Sequence, residues 1–346
     1  MNNEHAVIKF IEIRYADPIC SIDLTEKGLL LGSMMGRTIY YSIPDKKYFL
    51  LSETQTEHIS GVQFKTNSND IFYIAIGDES VQTYTKNENG MPQPETTKNY
   101  ESDSEHTTKC NSCFTLLSNI YLMRIFLHLP SDDNTDVCSM LTDYIITNVD
   151  TKNSISGQVE MSNYAVPFDT DGQRFMWIDF LSENKRTICV YNFREDKFAL
   201  KYALDTSFGH VSHMKFLPNG KIFLVRNYNM CEIRKDDTFD TERTFMHIGS
   251  EVIACDFLMN SSNSSSLKEN KEINGVICTL DINGNVNSYQ YKSDKIDMLF
   301  NMFKLSDIKQ EDKDRQFFSM GYPYYVKISG NYIAVTTDYG CYLIHR

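Results

Sequence analysis

At 346 residues, 41% of them hydrophobic, the chain is long enough to bury a substantial core as one large domain or two smaller ones. A formal net charge of −12, with no run of lysine or arginine, argues against nucleic-acid binding, which draws on clustered basic side chains. The most apolar stretch, residues 114–129, is interrupted by Ser118, Asn119, Arg124 and His128, too often for a bilayer span, so no membrane insertion is expected.

Met1-Asn2-Asn3-Glu4-His5 lacks the basic and apolar regions of a secretory signal. Nine cysteines (Cys20, Cys110, Cys113, Cys138, Cys189, Cys231, Cys255, Cys278 and Cys341) fall at irregular spacings, several inside apolar runs, and do not read as a disulfide framework. Both features point to a reducing, cytoplasmic setting. There Asn260-Ser261-Ser262 and Asn263-Ser264-Ser265 would not be glycosylated. Composition does not separate a cytoskeletal or ciliary complex from a ribosome-associated or nuclear one.

The elements follow in chain order. Residues 6–14, AVIKFIEIR, alternate as a half-buried strand does. Seven units then repeat one phrase: a β-rich run, a second run, a polar turn, a third run and a more polar fourth. Unit one has strands expected at 19–24, 29–32, 38–43 and 48–52. Unit two has them at 59–64, 71–76 and 81–85, then enters a polar segment, 86–108, read as a flexible insertion that interrupts or replaces its fourth strand. Unit three is expected at 112–117, 120–129, 144–149 and 155–161, and unit four at 164–168, 175–181, 187–193 and 198–203. Unit five follows at 211–216, 221–225, 230–234 and 244–247, and unit six at 252–258, 276–280, 286–291 and 298–303. Polar segments 260–274 and 306–315 read as inserted loops. Unit seven, at 324–328, 332–336 and 341–344, is one strand short, and 6–14 can supply it, closing the ring and removing two sheet edges.

Most first strands begin 40 to 52 residues apart, close to the period of a propeller blade. In this organisation the chain resembles the WD-repeat β-propeller family. Gly209-His210 stands before the first strand of unit five, where that family has its Gly-His pair, and Glu57-His58 stands there in unit two. The family's turn aspartate is matched by Asp78, Asp281 and Asp338, and Tyr84, Tyr191 and Tyr289 stand near its tryptophan, whereas the sole tryptophan, Trp177, does not. The resemblance implies structural roles for His58, Asp78 and His210, with the His58 ring bonded to Asp78.

Chemical motifs are sparse. His210-x-x-His213 has ligand-like spacing but no accompanying ligand set, and Cys110-Asn111-Ser112-Cys113 lacks a second pair or a helix to open. No metal or other cofactor is expected. There is no GxSxG elbow, phosphate loop, dinucleotide turn or HExxH helix, and the acidic clusters read as solvated loops. Phe317, Phe318, Tyr322 and Tyr324, at the entry to unit seven, are candidate partner contacts.

The resulting expectation is an all-β, seven-bladed WD-repeat-like propeller formed by residues 1–346 as a single domain, closed by the N-terminal strand. Its expected function is a non-catalytic scaffold binding other proteins in an intracellular assembly, with no small-molecule substrate inferred. The alternatives are a module reading a peptide motif at the central channel and, more distantly, an enzyme with a channel site.

Overall fold

The computed structural model describes residues 7–12, 17–53, 57–65, 68–77, 80–99, 112–118, 121–127, 140–161, 168–171, 173–182, 185–192, 194–195, 197–217, 220–259, 275–291, 296–304, 323–338 and 340–345. By contact the chain divides into two compact units, Ile19–Phe208, and Met1–Pro18 together with Gly209–Arg346.

β1 (Val7–Glu12) does not pair with its neighbour in sequence. After it, Ile19–Phe208 forms four antiparallel four-stranded sheets in simple up-and-down order. The first is β2 (Ile19–Leu24), β3 (Gly28–Ser33), β4 (Arg37–Ser42) and β5 (Lys47–Glu53), and the second is β6 (Ile59–Phe64), β7 (Ile71–Ile76), β8 (Ser80–Lys86) and β9 (Pro92–Asn99). The third is β10 (Ser112–Ser118), β11 (Tyr121–Leu127), β12 (Met140–Asn148) and β13 (Ser154–Met161), and the fourth is β14 (Phe168–Thr170), β15 (Arg174–Ser182), β16 (Lys185–Asn192) and β17 (Lys197–Leu204).

The other unit holds three sheets. The fifth is β18 (Val211–Phe216), β19 (Ile222–Arg226), β20 (Met230–Arg234) and β21 (Thr241–Met246), and the sixth is β22 (Val252–Met259), β23 (Gly275–Asp281), β24 (Asn285–Tyr291) and β25 (Ile296–Lys304). The seventh is β26 (Pro323–Ser329), β27 (Tyr332–Thr337), β28 (Gly340–His345) and, as its outer strand, β1. β1 runs antiparallel to β28 from Val7 opposite Ile344 to Glu12 opposite Gly340. These seven sheets make the seven-bladed β-propeller, and its last blade is closed by the N-terminal strand as the alternation of residues 6–14 implies.

Burial explains why each position in a blade has its own sequence character. The second strands are covered on both faces: β3 and β23 are buried throughout, and β7, β19 and β27 nearly so. They therefore read as continuous apolar runs rather than alternating ones. The fourth strands β9 and β21 face solvent, β9 almost completely. That exposure corrects one expectation: Pro92–Asn99, placed within the polar insertion 86–108, is the fourth strand of the second sheet, paired with β8 from Lys86 opposite Pro92 to Ser80 opposite Asn99. The rest of that segment from residue 100 onward, with 260–274 and 306–315, lies outside the described residues.

Adjacent sheets share their cores. Between the first and second, Tyr40, Phe64, Phe72 and Tyr84 pack with Leu30, Ile59 and Ile74. Here the Phe72 ring stacks on Tyr40 at 5.6 Å and on Tyr84 at 5.4 Å, the latter pair nearly parallel at 2°. Between the fifth and sixth, Phe223, Val225, Cys231 and Ile233 meet Cys255, Ile277 and Tyr289. Gly32 marks a close approach, since a Cβ there would collide with the Ile59 and Ser21 side chains.

Deleting residues 1–12 is expected to uncover the β28 edge, lower the melting temperature and produce concentration-dependent association. Thermal melts and sedimentation check this; an unchanged monomer with the parental melting temperature would show that β1 contributes nothing to closure.

Candidate functional site

The residues singled out by sequence fall in several places. His58 is exposed, and its backbone carbonyl accepts the Gly77 N–H at 2.8 Å. His210 is also exposed; its carbonyl accepts Asn227 N–H at 2.7 Å and its ring lies 5.4 Å from Tyr228. Asp78, Cys110, Phe317, Phe318 and Tyr322 lie outside the described residues. Tyr324 is partly buried, with its hydroxyl bonded to Asp338. Among the described residues no three His, Cys, Asp or Glu side chains gather as a metal site.

The first strand of each sheet pairs on one side only, so the backbone groups along its other edge need partners. In the second, sixth and seventh sheets, side chains from the preceding sheet supply some of them. β2, β6, β18 and β22 each carry a bulge after their first residue, and in β2, β18 and β22 the next two side chains on the strand stay partly open. From these places Cys20 Sγ reaches the Ile59 carbonyl at 2.9 Å, Ser21 Oγ reaches it at 3.4 Å, and His213 Nε2 reaches the Val252 carbonyl at 2.8 Å. Further along, Asp23 Oδ2 accepts the Phe64 N–H at 2.8 Å and Asp256 Oδ2 accepts the Ile328 N–H at 2.9 Å. Burial holds the His213 imidazole down to about 4, against a partial upward pull from the Val252 carbonyl, so near neutrality it is uncharged and its Nε2–H donates.

A second buried polar arrangement fixes the turn end of the sixth sheet. Val252 stands opposite Asp281, whose carboxylate accepts from Asn283 N at 2.9 Å, Asn285 N at 2.8 Å, Asn285 Nδ2 at 2.6 Å and Ser250 N at 2.7 Å. His247 is wholly buried beside it, Nε2 3.4 Å from Asp281 Oδ2. Asn287 Nδ2 lies 2.9 Å from His247 Nδ1, and Thr279 Oγ1 lies 2.8 Å from the same nitrogen. Because Asn287 Nδ2 can only donate, Nδ1 is the acceptor and the proton sits on Nε2, facing Asp281. Burial keeps this imidazole neutral, outweighing the opposing pull of Asp281. Asp281 is itself held below the usual carboxylate range: burial pushes it up, but the bonds from Asn285, Ser250 and His247 prevail. Tyr289, pushed up to about 12 by burial, donates to the Met246 carbonyl at 3.3 Å and accepts from Ile248 N at 3.3 Å. Tyr84 makes the matching reach to the Leu51 carbonyl at 3.2 Å. Both tyrosines thus tie a third strand back to the preceding sheet.

In the fifth sheet the place of Asp281 is taken by Arg226, opposite Val211, and that of Asn287 by Glu232. Buried Glu232 accepts from Arg226 Nε at 2.8 Å and from Arg234 Nε at 2.7 Å, and Arg234 also donates to the Phe239 carbonyl at 2.8 Å. Both arrangements lie below the surface, with most of their polar atoms bonded to one another. Sequence reading missed His247 because it stands five residues before Val252, whereas His58 and His210 directly precede their strands. Likewise the register puts Ile76 opposite Ile59, two residues before Asp78, where the sixth sheet has Asp281.

In an up-and-down sheet the start of the first strand, the turn between second and third, and the end of the fourth share one end. In the fifth and sixth sheets that end carries exposed Tyr228, Met246, Ile248 and Ile282, each 37–50% exposed. Its turns interlock: Tyr228 C=O accepts Val252 N–H at 2.8 Å, and Glu251 C=O accepts Ile282 N–H at 2.9 Å. Asn227 and Tyr228 both have left-handed backbones, φ 49° and 73°, a cost of about 1–3 kcal/mol for a residue such as tyrosine. Gly209, itself at φ 78°, cannot carry a side chain, since a Cβ would strike the Asn227 amide.

By sequence the chain matches no family model and no curated protein. Its structure is similar to many solved ones. The WD40 β-propeller domain of Doa1 superposes with a TM-score of 0.60 at 11% identity, over 99% of this chain and 98% of that one. This chain has the WD40-type β-propeller fold. A chain of the mitotic checkpoint complex gives 0.55 at 11% identity, over 98% of this chain and 93% of the other. Chaetomium thermophilum Raptor gives 0.55 at 8% identity, over 99% of this chain but only 29% of Raptor. Within this chain the same turn slot holds different chemistry, His247–Asp281 in the sixth sheet and Arg226–Glu232 in the fifth.

Asp281→Ala should cost about 3 kcal/mol or more in urea unfolding, because it strands several buried donors, with Asp281→Asn in between. A loss under about 0.5 kcal/mol, the range of an ordinary surface change, would remove Asp281 from the frame. His213 gives a pH test. Its folded pKa lies below the unfolded value near 6.5, so its contribution is full above that value and is lost as pH falls toward about 4. Stability of the wild type should therefore drop more steeply over this window than that of His213→Gln; parallel curves would contradict it.

Proposed function

We propose that the protein is a non-catalytic interaction scaffold: residues 1–346 act as one propeller domain that holds other proteins in a cytoplasmic assembly. The observation that carries this reading is the distribution of exposed apolar side chains. They stand in separate places: Met34 and Met35 at a turn of the first sheet, Tyr48 and Leu50 on its outermost strand, Met91 at the opposite-end turn of the second, and the Tyr228–Ile282 group on the fifth and sixth. Several dispersed contact points on a rigid frame suit several partners better than one substrate. The polar clusters best able to do chemistry are buried, which favours binding over catalysis. Solved structures of similar fold, from the mitotic checkpoint complex and Raptor, lend the same support.

Affinity purification of the tagged full-length protein from its own cells at near-physiological salt, followed by mass spectrometry, tests this. A reproducible, near-stoichiometric set of proteins is expected. Recovery of an unaccompanied monomer would overturn the reading.

A further inference from the structure

The turn end of the fifth and sixth sheets has features of a recognition site with a definite chemistry. Tyr228 holds a left-handed backbone that glycine would adopt freely, directly after Asn227 in the same region. The side chain is 49% exposed, and its ring stands against the exposed His210 ring at 5.4 Å. Ile248 and Ile282, 50% and 37% exposed, are fixed beside it on turns bonded to one another and to Tyr289.

Charge narrows the occupant. On these turns Asp281 is buried and saturated, and Arg226 is bound to Glu232. Glu251 lies between them in the bonded series Tyr228–Val252–Glu251–Ile282, and it is exposed. An aromatic face, two aliphatic side chains and one open carboxylate, on a chain of net charge −12, complement a lysine or arginine flanked by apolar groups and repel an acidic partner. A few side chains fall well short of the roughly 1,000 Å² that a stable contact between globular proteins buries, which fits a short linear segment. We propose that Tyr228, Ile248, Ile282 and Glu251 form a docking site for an extended peptide segment of a partner protein that sets a basic residue beside apolar ones. The proposal rests on the scaffold reading and names one of its contact points.

The probe is a phage-displayed library of random linear peptides panned on the full-length protein. The expected outcome is a consensus combining Lys or Arg with an aromatic or branched apolar residue. A selected peptide should lose roughly tenfold or more in affinity on Tyr228→Gly. That variant should melt at the parental temperature or above, because glycine relieves the backbone. Glu251→Lys should reverse the preference toward Asp and Glu. Ile282→Asp provides a second loss of binding that leaves the Tyr228 turn intact. No consensus, a consensus without a basic residue, or binding unaffected by Tyr228→Gly and Ile282→Asp would overturn the site. A lower melting temperature for Tyr228→Gly would assign the ring a structural role and would also overturn it. If the cellular co-purifying set survives all three substitutions, the scaffold stands and this site falls.

Discussion

The fold depends on how a four-stranded sheet disposes of its inner edge. Each first strand has neighbours on one side only, and the groups on the other would be left unpaired against the adjoining sheet. In the second, sixth and seventh sheets the chain meets part of this need with side chains from the sheet before. Asp23 caps Phe64 and Asp256 caps Ile328 through the same contact, and Cys20, Ser21 and His213 cover the carbonyls of Ile59 and Val252. The bulge at the head of these strands belongs to the same arrangement, turning two successive side chains toward the next sheet instead of one. A carboxylate in this place is shielded, so it serves as a fixed connector; Asp256 is also flanked by Lys215 and Lys327 at 3.9 and 3.6 Å.

With the edges covered, the turns can be held rigid, and rigidity lets exposed turn residues act as contacts. The sixth sheet fixes its turn with a neutral histidine and an ionised aspartate, whereas the fifth uses Glu232 between two arginines. Different chemistry in one geometric slot means that what matters is pairing of the buried charged groups, not the identity of a residue. Tyr228 departs from this economy. It occupies a backbone region that penalises its side chain while that side chain faces water, and such a residue points to selection on what it presents outward.

The blade pattern was readable because buried second strands leave a strong mark: IFYIAI, VICTL and YIAVT are runs that only doubly covered strands require. The closing strand was readable for a related reason, since AVIKFIEIR alternates. β9 was not. PQPETTKN contains two prolines and no core-facing residue, which suits an outermost strand but has the composition of a loop. His247 left little signal, because it stands five residues before its strand; the register marks its slot through Asp281, opposite the first position of that strand. The contact surface left almost no sequence signal. Tyr228, Ile248, Glu251 and Ile282 are scattered over more than fifty positions and meet only when the turns interlock.

Amide hydrogen exchange at Phe64 and Ile328, resolved by nuclear magnetic resonance, tests the edge-capping account most directly. Both N–H groups lie on strand edges without a backbone partner there, so the account predicts protection comparable to strand interiors. Asp23→Ala should release Phe64 selectively, and Asp256→Ala should release Ile328. Rapid exchange of both amides in the wild type, or protection that survives removal of the carboxylates, would contradict it.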